Sequence, residues 1–185
     1  ISIKNMGKSF DISLATKDFM PNQILYNING FGYGVFPINN NQLNSYKNIK
    51  DDVSRGYQFI NLYENMLYDK ISPLKTYNIF LEALKVEKNE LILNYLSGRI
   101  QAIFWTFLIE DQRVTALPKT EQSLKEILIK DNPSNIKKIV FNLFSKLARY
   151  YTNTTPTSWE PKFKLGNAWN FEYLDDNVFS ICVSL

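Results

Sequence analysis

Few residues in this 185-residue chain are of the kind that do chemistry. Histidine is absent, which removes a Ser-His-Asp triad, a Cys-His pair and any histidine-ligated metal from these residues. A single cysteine, Cys182, leaves no internal disulfide and no zinc site built from cysteine pairs. Its neighbours in FSICVSL mark it as a buried apolar side chain rather than a nucleophile. Two adjacent aspartate pairs remain, Asp51-Asp52 and Asp175-Asp176. Such pairs can serve general acid–base catalysis. Each, however, stands where a helix is expected to start, and there a carboxylate caps free N–H groups and meets the positive end of the macrodipole. Glu64, Glu82, Glu87 and Glu90 sit among lysines, as on a solvated helical surface.

Two further stretches could bind something. Residues 150–174 interleave Trp159, Phe163, Trp169, Phe171 and Tyr173 with Lys162 and Lys164, broken by Pro156, Pro161 and Gly166. Trp159 and Trp169 are candidate ligand contacts, because aromatic faces beside cations stack on bases or sugars. The competing reading has these rings pinning a long loop onto the helices. Asn153-Thr154-Thr155 has the form of a glycosylation acceptor. The stretch NINGFGYGVFPIN, 27–39, sets Gly30, Gly32 and Gly34 two apart. A phosphate-cradling G-x-G-x-x-G loop opens a helix, whereas here Pro37 follows and the spacing is that of a strand. Asn29-Gly30 is a type I′ turn signal. It predicts a hairpin in which Ile28 faces Phe31, Asn27 faces Gly32, Tyr26 faces Tyr33 and Ile24 faces Val35.

The elements that must position these residues follow from periodicity. A hydrophobic content of 45% supports a packed core. Net charge is +3 over 1–50, −3 over 51–112 and +3 over 113–185, so no block carries the basic excess of a nucleic-acid footprint. Lys137, Lys138, Lys146 and Arg149 read as the solvated face of a helix. The longest strongly apolar run, 102–109, is too short to span a bilayer and fits a buried helix end. Residues 1–38 read as strands, with Phe10, Ile12 and Leu14 alternating against Asp11 and Ser13. An Asn-rich linker, 39–50, follows.

Five helices are then expected. The first carries Val53, Tyr57, Ile60, Tyr63 and Leu67 at spacings of three and four behind an Asp51 or Asp52 cap. The second starts at Ser72-Pro73, with Leu74, Tyr77, Leu81 and Leu84 on one face. The others cover about 89–109, 120–129 and 133–150. The fold class is α+β, mainly α: a short antiparallel β-sandwich fragment, 1–38, followed by an armadillo/HEAT-like α-superhelical array of helix pairs, 51–185. Uncovered strands at the start and the missing polar cap at the end predict a chain cut at both ends.

The ordered motifs resemble a known family. Asn27, Gly32, Tyr33 and Val35, with Asn29 and Gly30 in the turn, resemble a strand motif of aminopeptidase N-type zinc aminopeptidases, the gluzincins. The residue after the tyrosine, usually arginine in that family, is Gly34 here. Residues 51–90 resemble the opening of the family's C-terminal helical domain. Asp52 and Arg55 begin the first helix, Ile71-Ser72 marks the turn, Tyr77 and Leu81 line the second helix, and Glu87 closes it. The likeness covers about 10–110; 174–185 resembles a later helix start, and 150–174 has no place in the pattern.

The resemblance implies the end of a β-sandwich and most of a helical domain from a zinc-dependent aminopeptidase that removes N-terminal residues from peptides. The family's zinc ligands and catalytic glutamate belong to a His-Glu-x-x-His motif and a downstream glutamate, none of which has a counterpart here. The chain is thus expected to hold no catalytic residue and no cofactor, zinc residing in the parent's catalytic domain. The implied partners are that catalytic domain and a peptide substrate, with no nucleic acid and no membrane span. A stand-alone helical-repeat module that binds a protein or peptide is the alternative, and a carbohydrate- or nucleic-acid-binding domain using Trp159 and Trp169 is a third.

Overall fold

A computed structural model describes residues 2–6, 9–13, 26–27, 32 and 34–154, with the backbone alone for 2–6, 9–13, 41 and 148–154. The described chain is mainly helical. Strands β1 (Ser2–Met6) and β2 (Ser9–Ser13) pair antiparallel, Ile3 opposite Ile12 and Met6 opposite Ser9. β2 lies on the alternating run that predicts a strand.

The hairpin expected at 24–35 takes another form where it is described. Tyr26 and Asn27 lie in a turn, and 35–39 are irregular. Asn27 has a φ of 54°. Its side chain brackets Gly32, with Nδ2 donating to the Gly32 carbonyl at 2.9 Å and the Gly32 N–H donating to Oδ1 at 2.6 Å. The Asn27–Gly32 partnership therefore forms through a side-chain amide, which offers the donor and acceptor of a peptide group, instead of through a ladder. A Cβ on Gly32 would sit 3.1 Å from Asn27 Oδ1 and 3.2 Å from the Phe36 ring. Glycine fits this approach. Asn29, Gly30, Tyr33, Trp159, Trp169, Cys182 and Asp175-Asp176 lie outside the described residues.

The linker is itself packed. It forms two short 3-10 turns, Asn40–Gln42 and Ser45–Asn48, and Leu43 and Tyr46 join the core. Helix α1 spans Asp52–Leu67, with Asp51 accepting from the Ser54 N–H at 2.7 Å. Helix α2 spans Pro73–Leu84, its proline in the first turn, where the missing N–H costs nothing. Helix α3, Glu90–Ala102, is capped by Asn89, whose Oδ1 accepts from Leu91 and Ile92. It runs into a π turn at Ile103–Phe107 that closes with the Leu108 N–H on the Ile103 carbonyl. Helices α4 (Glu110–Ile129) and α5 (Ser134–Thr154) complete the set.

α4 begins ten residues before the expected 120. The chain breaks at Leu108 and Ile109, both extended. Pro118 rides inside α4 with its ring exposed, so the carbonyl deprived of its helical partner belongs to exposed Val114 and faces solvent.

The core runs between the helices. Phe59, Leu62, Tyr77, Phe80, Leu81, Leu93, Leu96, Ile100 and Phe104 are fully buried. Phe59 meets Phe80 edge-on at 5.8 Å. α3 packs on α2 and α5, and α4 on α5. Tyr77 buries its hydroxyl against Thr120 Oγ1 at 2.8 Å, linking α2 to α4, and burial pushes its pKa up to about 12. Lys137, expected on a solvated face, is buried, whereas Lys138 and Lys146 are exposed as expected.

The largest departure concerns α1. Val53 is 67% exposed, Ile60 41% and Leu67 43%, although spacing predicts that they line the core with Tyr63, which is buried. The buried side is Phe59, Leu62 and Met66, flanked by Ser54, Gln58, Asn61 and Asn65. Polar residues go inside because they meet main-chain groups there.

Candidate functional site

The first turn of α1 brings together Asp52 and Arg55 with Glu87 from the α2–α3 connection. Arg55 uses all of its donors. Nε and Nη2 form a two-point pair with Glu87 at 2.7 and 3.0 Å, Nη1 donates to the carbonyls of Ile49 and Lys50 at 3.0 and 3.1 Å, and Nη2 also meets Asp52. The side chains of Arg55 and Glu87 are 15% and 5% exposed. Planar guanidinium-to-carboxylate pairing is the strong form of this contact. Asn89 adds a donor to Asp52 at 2.7 Å, and Glu87 Oε1 also accepts the N–H groups of Lys88 and Asn89.

Burial raises the Glu87 pKa, but the Arg55 hydrogen bond and the two N–H donors outweigh it and hold the carboxyl below the usual value of 4.5. The Asn89 amide, then Arg55, lower that of Asp52. A saturated arginine on neutralised acids has nothing left to offer a substrate. This cluster is a clamp that ties α1 to the segment before it and to the α2–α3 turn.

One side of α1 carries a second arrangement. Asn61 accepts from the Phe36 N–H and donates to the Phe36 carbonyl, both at 3.1 Å. Asn65 donates to the same carbonyl at 2.8 Å, and Gln58 donates to the Gln42 carbonyl at 3.3 Å. Asn61 and Asn65 thus hold both main-chain groups of Phe36, and Gln58 holds the carbonyl that ends the first 3-10 turn. The Phe36 ring lies edge-on to Tyr57 at 6.4 Å and stacks on Tyr26 at 6.3 Å. Beside this anchor, Val35, Pro37, Ile38, Asn65, Tyr68 and Lys70 border an open cleft of about 360 Å³.

The motif residues thus fall into two groups, Asn27 with Gly32 and Asp52 with Arg55, while Val35 borders the cleft. The amides Gln58, Asn61 and Asn65 are absent from the sequence-based set. Their spacing of three and four was the available signal, but polar residues at helical spacing read as a solvent face. Among the described residues no group of three or more His, Cys, Asp or Glu side chains could hold a metal ion. No described helix is long and apolar enough to cross a membrane. No protein-family model, characterised protein or solved structure matches the chain.

Proposed function

We propose that this chain is the non-catalytic C-terminal portion of a zinc-dependent aminopeptidase, the end of a β-sandwich followed by an armadillo/HEAT-like helical array. The observation that carries the reading is the meeting of Asp52, Arg55 and Glu87. These positions of the resemblance, up to 35 residues apart in sequence, form one ion-pair cluster. A motif that marks the opening of a helical domain is expected to converge in this way on a structural clamp. Turnover resides in the parent's catalytic domain, with its own zinc. The helical array packs against that domain and closes the chamber around a peptide substrate, contributing shape and access.

The test is the intact mass and metal content of the native polypeptide. The expected result is a chain several times heavier than 21.6 kDa with about one zinc per chain. A metal-free native chain near that mass overturns the reading and leaves a stand-alone helical interaction module. Residues 1–185 alone are expected not to hydrolyse aminoacyl amides, and turnover by them contradicts the proposal equally.

A further inference from the structure

We infer that the outer surface formed by α1 and α3 docks an amphipathic helix bearing an acidic side chain, with Arg99 as its anchor; this does not depend on the aminopeptidase reading. Val53, Ile60 and Leu67 stand seven residues apart on the exposed side of α1. That interval returns a side chain to the same line every two turns and is the repeat of helix–helix seams. Tyr63, one turn from both Ile60 and Leu67, leads from this line toward α3.

There the Arg99 guanidinium carbon lies 4.5 Å from the centre of the Tyr63 ring and 5.0 Å from that of Tyr95. Stacking against rings fixes a guanidinium plane while its N–H groups point outward in that plane. Arginine has five donors, and two tyrosine oxygens cannot occupy them all. Among the described residues no carboxylate reaches Arg99 at ion-pair distance, in contrast to the saturated Arg55. One turn along α3 from Tyr95, a side chain added at Gly98 would meet open space, so a partner backbone can come close.

Charge complementarity selects the occupant. A preorganised guanidinium beside an apolar heptad line fits a helix that places leucines on Ile60 and Leu67 and a carboxylate on Arg99. Burial raises the Tyr95 pKa against the pull of Arg99, and the charge of Glu64, on the same outer line, adds to the rise, so the partner sets a basic or neutral group there. This pattern orients the incoming helix.

The test uses residues 1–185 and two labelled synthetic helical peptides with leucines at heptad spacing, identical except for glutamate or glutamine on the seam flank. Fluorescence anisotropy is expected to show about tenfold tighter binding of the glutamate peptide. Arg99→Gln should erase the difference, Arg99→Lys should keep part of it, and Leu67→Asp should abolish binding of both peptides. Unchanged helical circular dichroism shows that the variants fold. If Arg99→Gln does not fold, the comparison of the two peptides on the unaltered chain still decides. Absence of saturable binding, equal binding of both peptides, or a difference that survives Arg99→Gln overturns the inference. Sedimentation showing a dimer that Leu67→Asp dissolves assigns the face to a second copy and overturns it as well.

Discussion

The two sides of α1 treat polarity in opposite ways. Toward the segment 36–45, Ser54, Gln58, Asn61 and Asn65 are buried, and on the far side Val53, Ile60 and Leu67 meet solvent. Hydropathy alone would exchange the two. A buried amide is stable where it finds a main chain with unspent hydrogen-bonding groups, and Phe36 supplies both a donor and an acceptor. An apolar row can remain in solvent without unfolding the chain, because the core on the third side, around Phe59 and Leu62, already holds the helix in place. Burial on this helix follows hydrogen-bond complementarity as much as hydrophobicity.

The largest expected effect that would break this contrast is at the clamp. Arg55→Met leaves Glu87 buried without its partner and should lower the unfolding free energy by about 3–5 kcal/mol in urea titration; a loss under 1 kcal/mol would mean that the clamp is dispensable. Next, Asn61→Leu strands the N–H of Phe36 and weakens the hold on its carbonyl, for an expected loss of about 1–3 kcal/mol despite the gain in hydrophobicity.

Acid should act through the same inner region. The Glu87 carboxyl has a lower pKa folded than unfolded, so its stabilisation is full above the usual value of 4.5 and is lost as pH falls through the lower folded value. Urea midpoints should therefore drop below that pH, and Glu87→Gln should show a shallower drop from a lower starting point. The smallest effect belongs to the outer row. Ile60→Ser should change stability by less than about 0.5 kcal/mol, and a loss of several kcal/mol would place that residue against a partner within the folded chain.

Much of the helical part is legible in the sequence, for identifiable reasons. Asp51, Pro73 and Asn89 sit at helix starts where their chemistry is specific to that position, and Tyr77, Leu81 and Leu84 share a buried face as their spacing predicts. The start of α4 is not legible, because Pro118 resembles a boundary and is accommodated instead on an exposed surface. The inward face of α1 is hidden for a related reason. Periodicity identifies the apolar row but cannot show that Phe36, 25 residues upstream of Asn61, brings peptide groups to the polar one. The clamp is half visible: Asp52, Arg55 and Glu87 stand out as positions, and their convergence is a property of the tertiary fold.

The most direct measurement of the account of α1 is a pair of substitutions two residues apart, Asn65→Leu and Leu67→Asn, compared by urea denaturation. Hydropathy predicts that the first stabilises and the second destabilises. The inverted helix predicts the reverse ranking. Asn65→Leu should lose about 1–3 kcal/mol as the Phe36 carbonyl gives up a buried donor, and Leu67→Asn should stay within about 0.5 kcal/mol of the parent. If Asn65→Leu matches or exceeds the parent while Leu67→Asn unfolds readily, the apolar row is the inner one and the account fails.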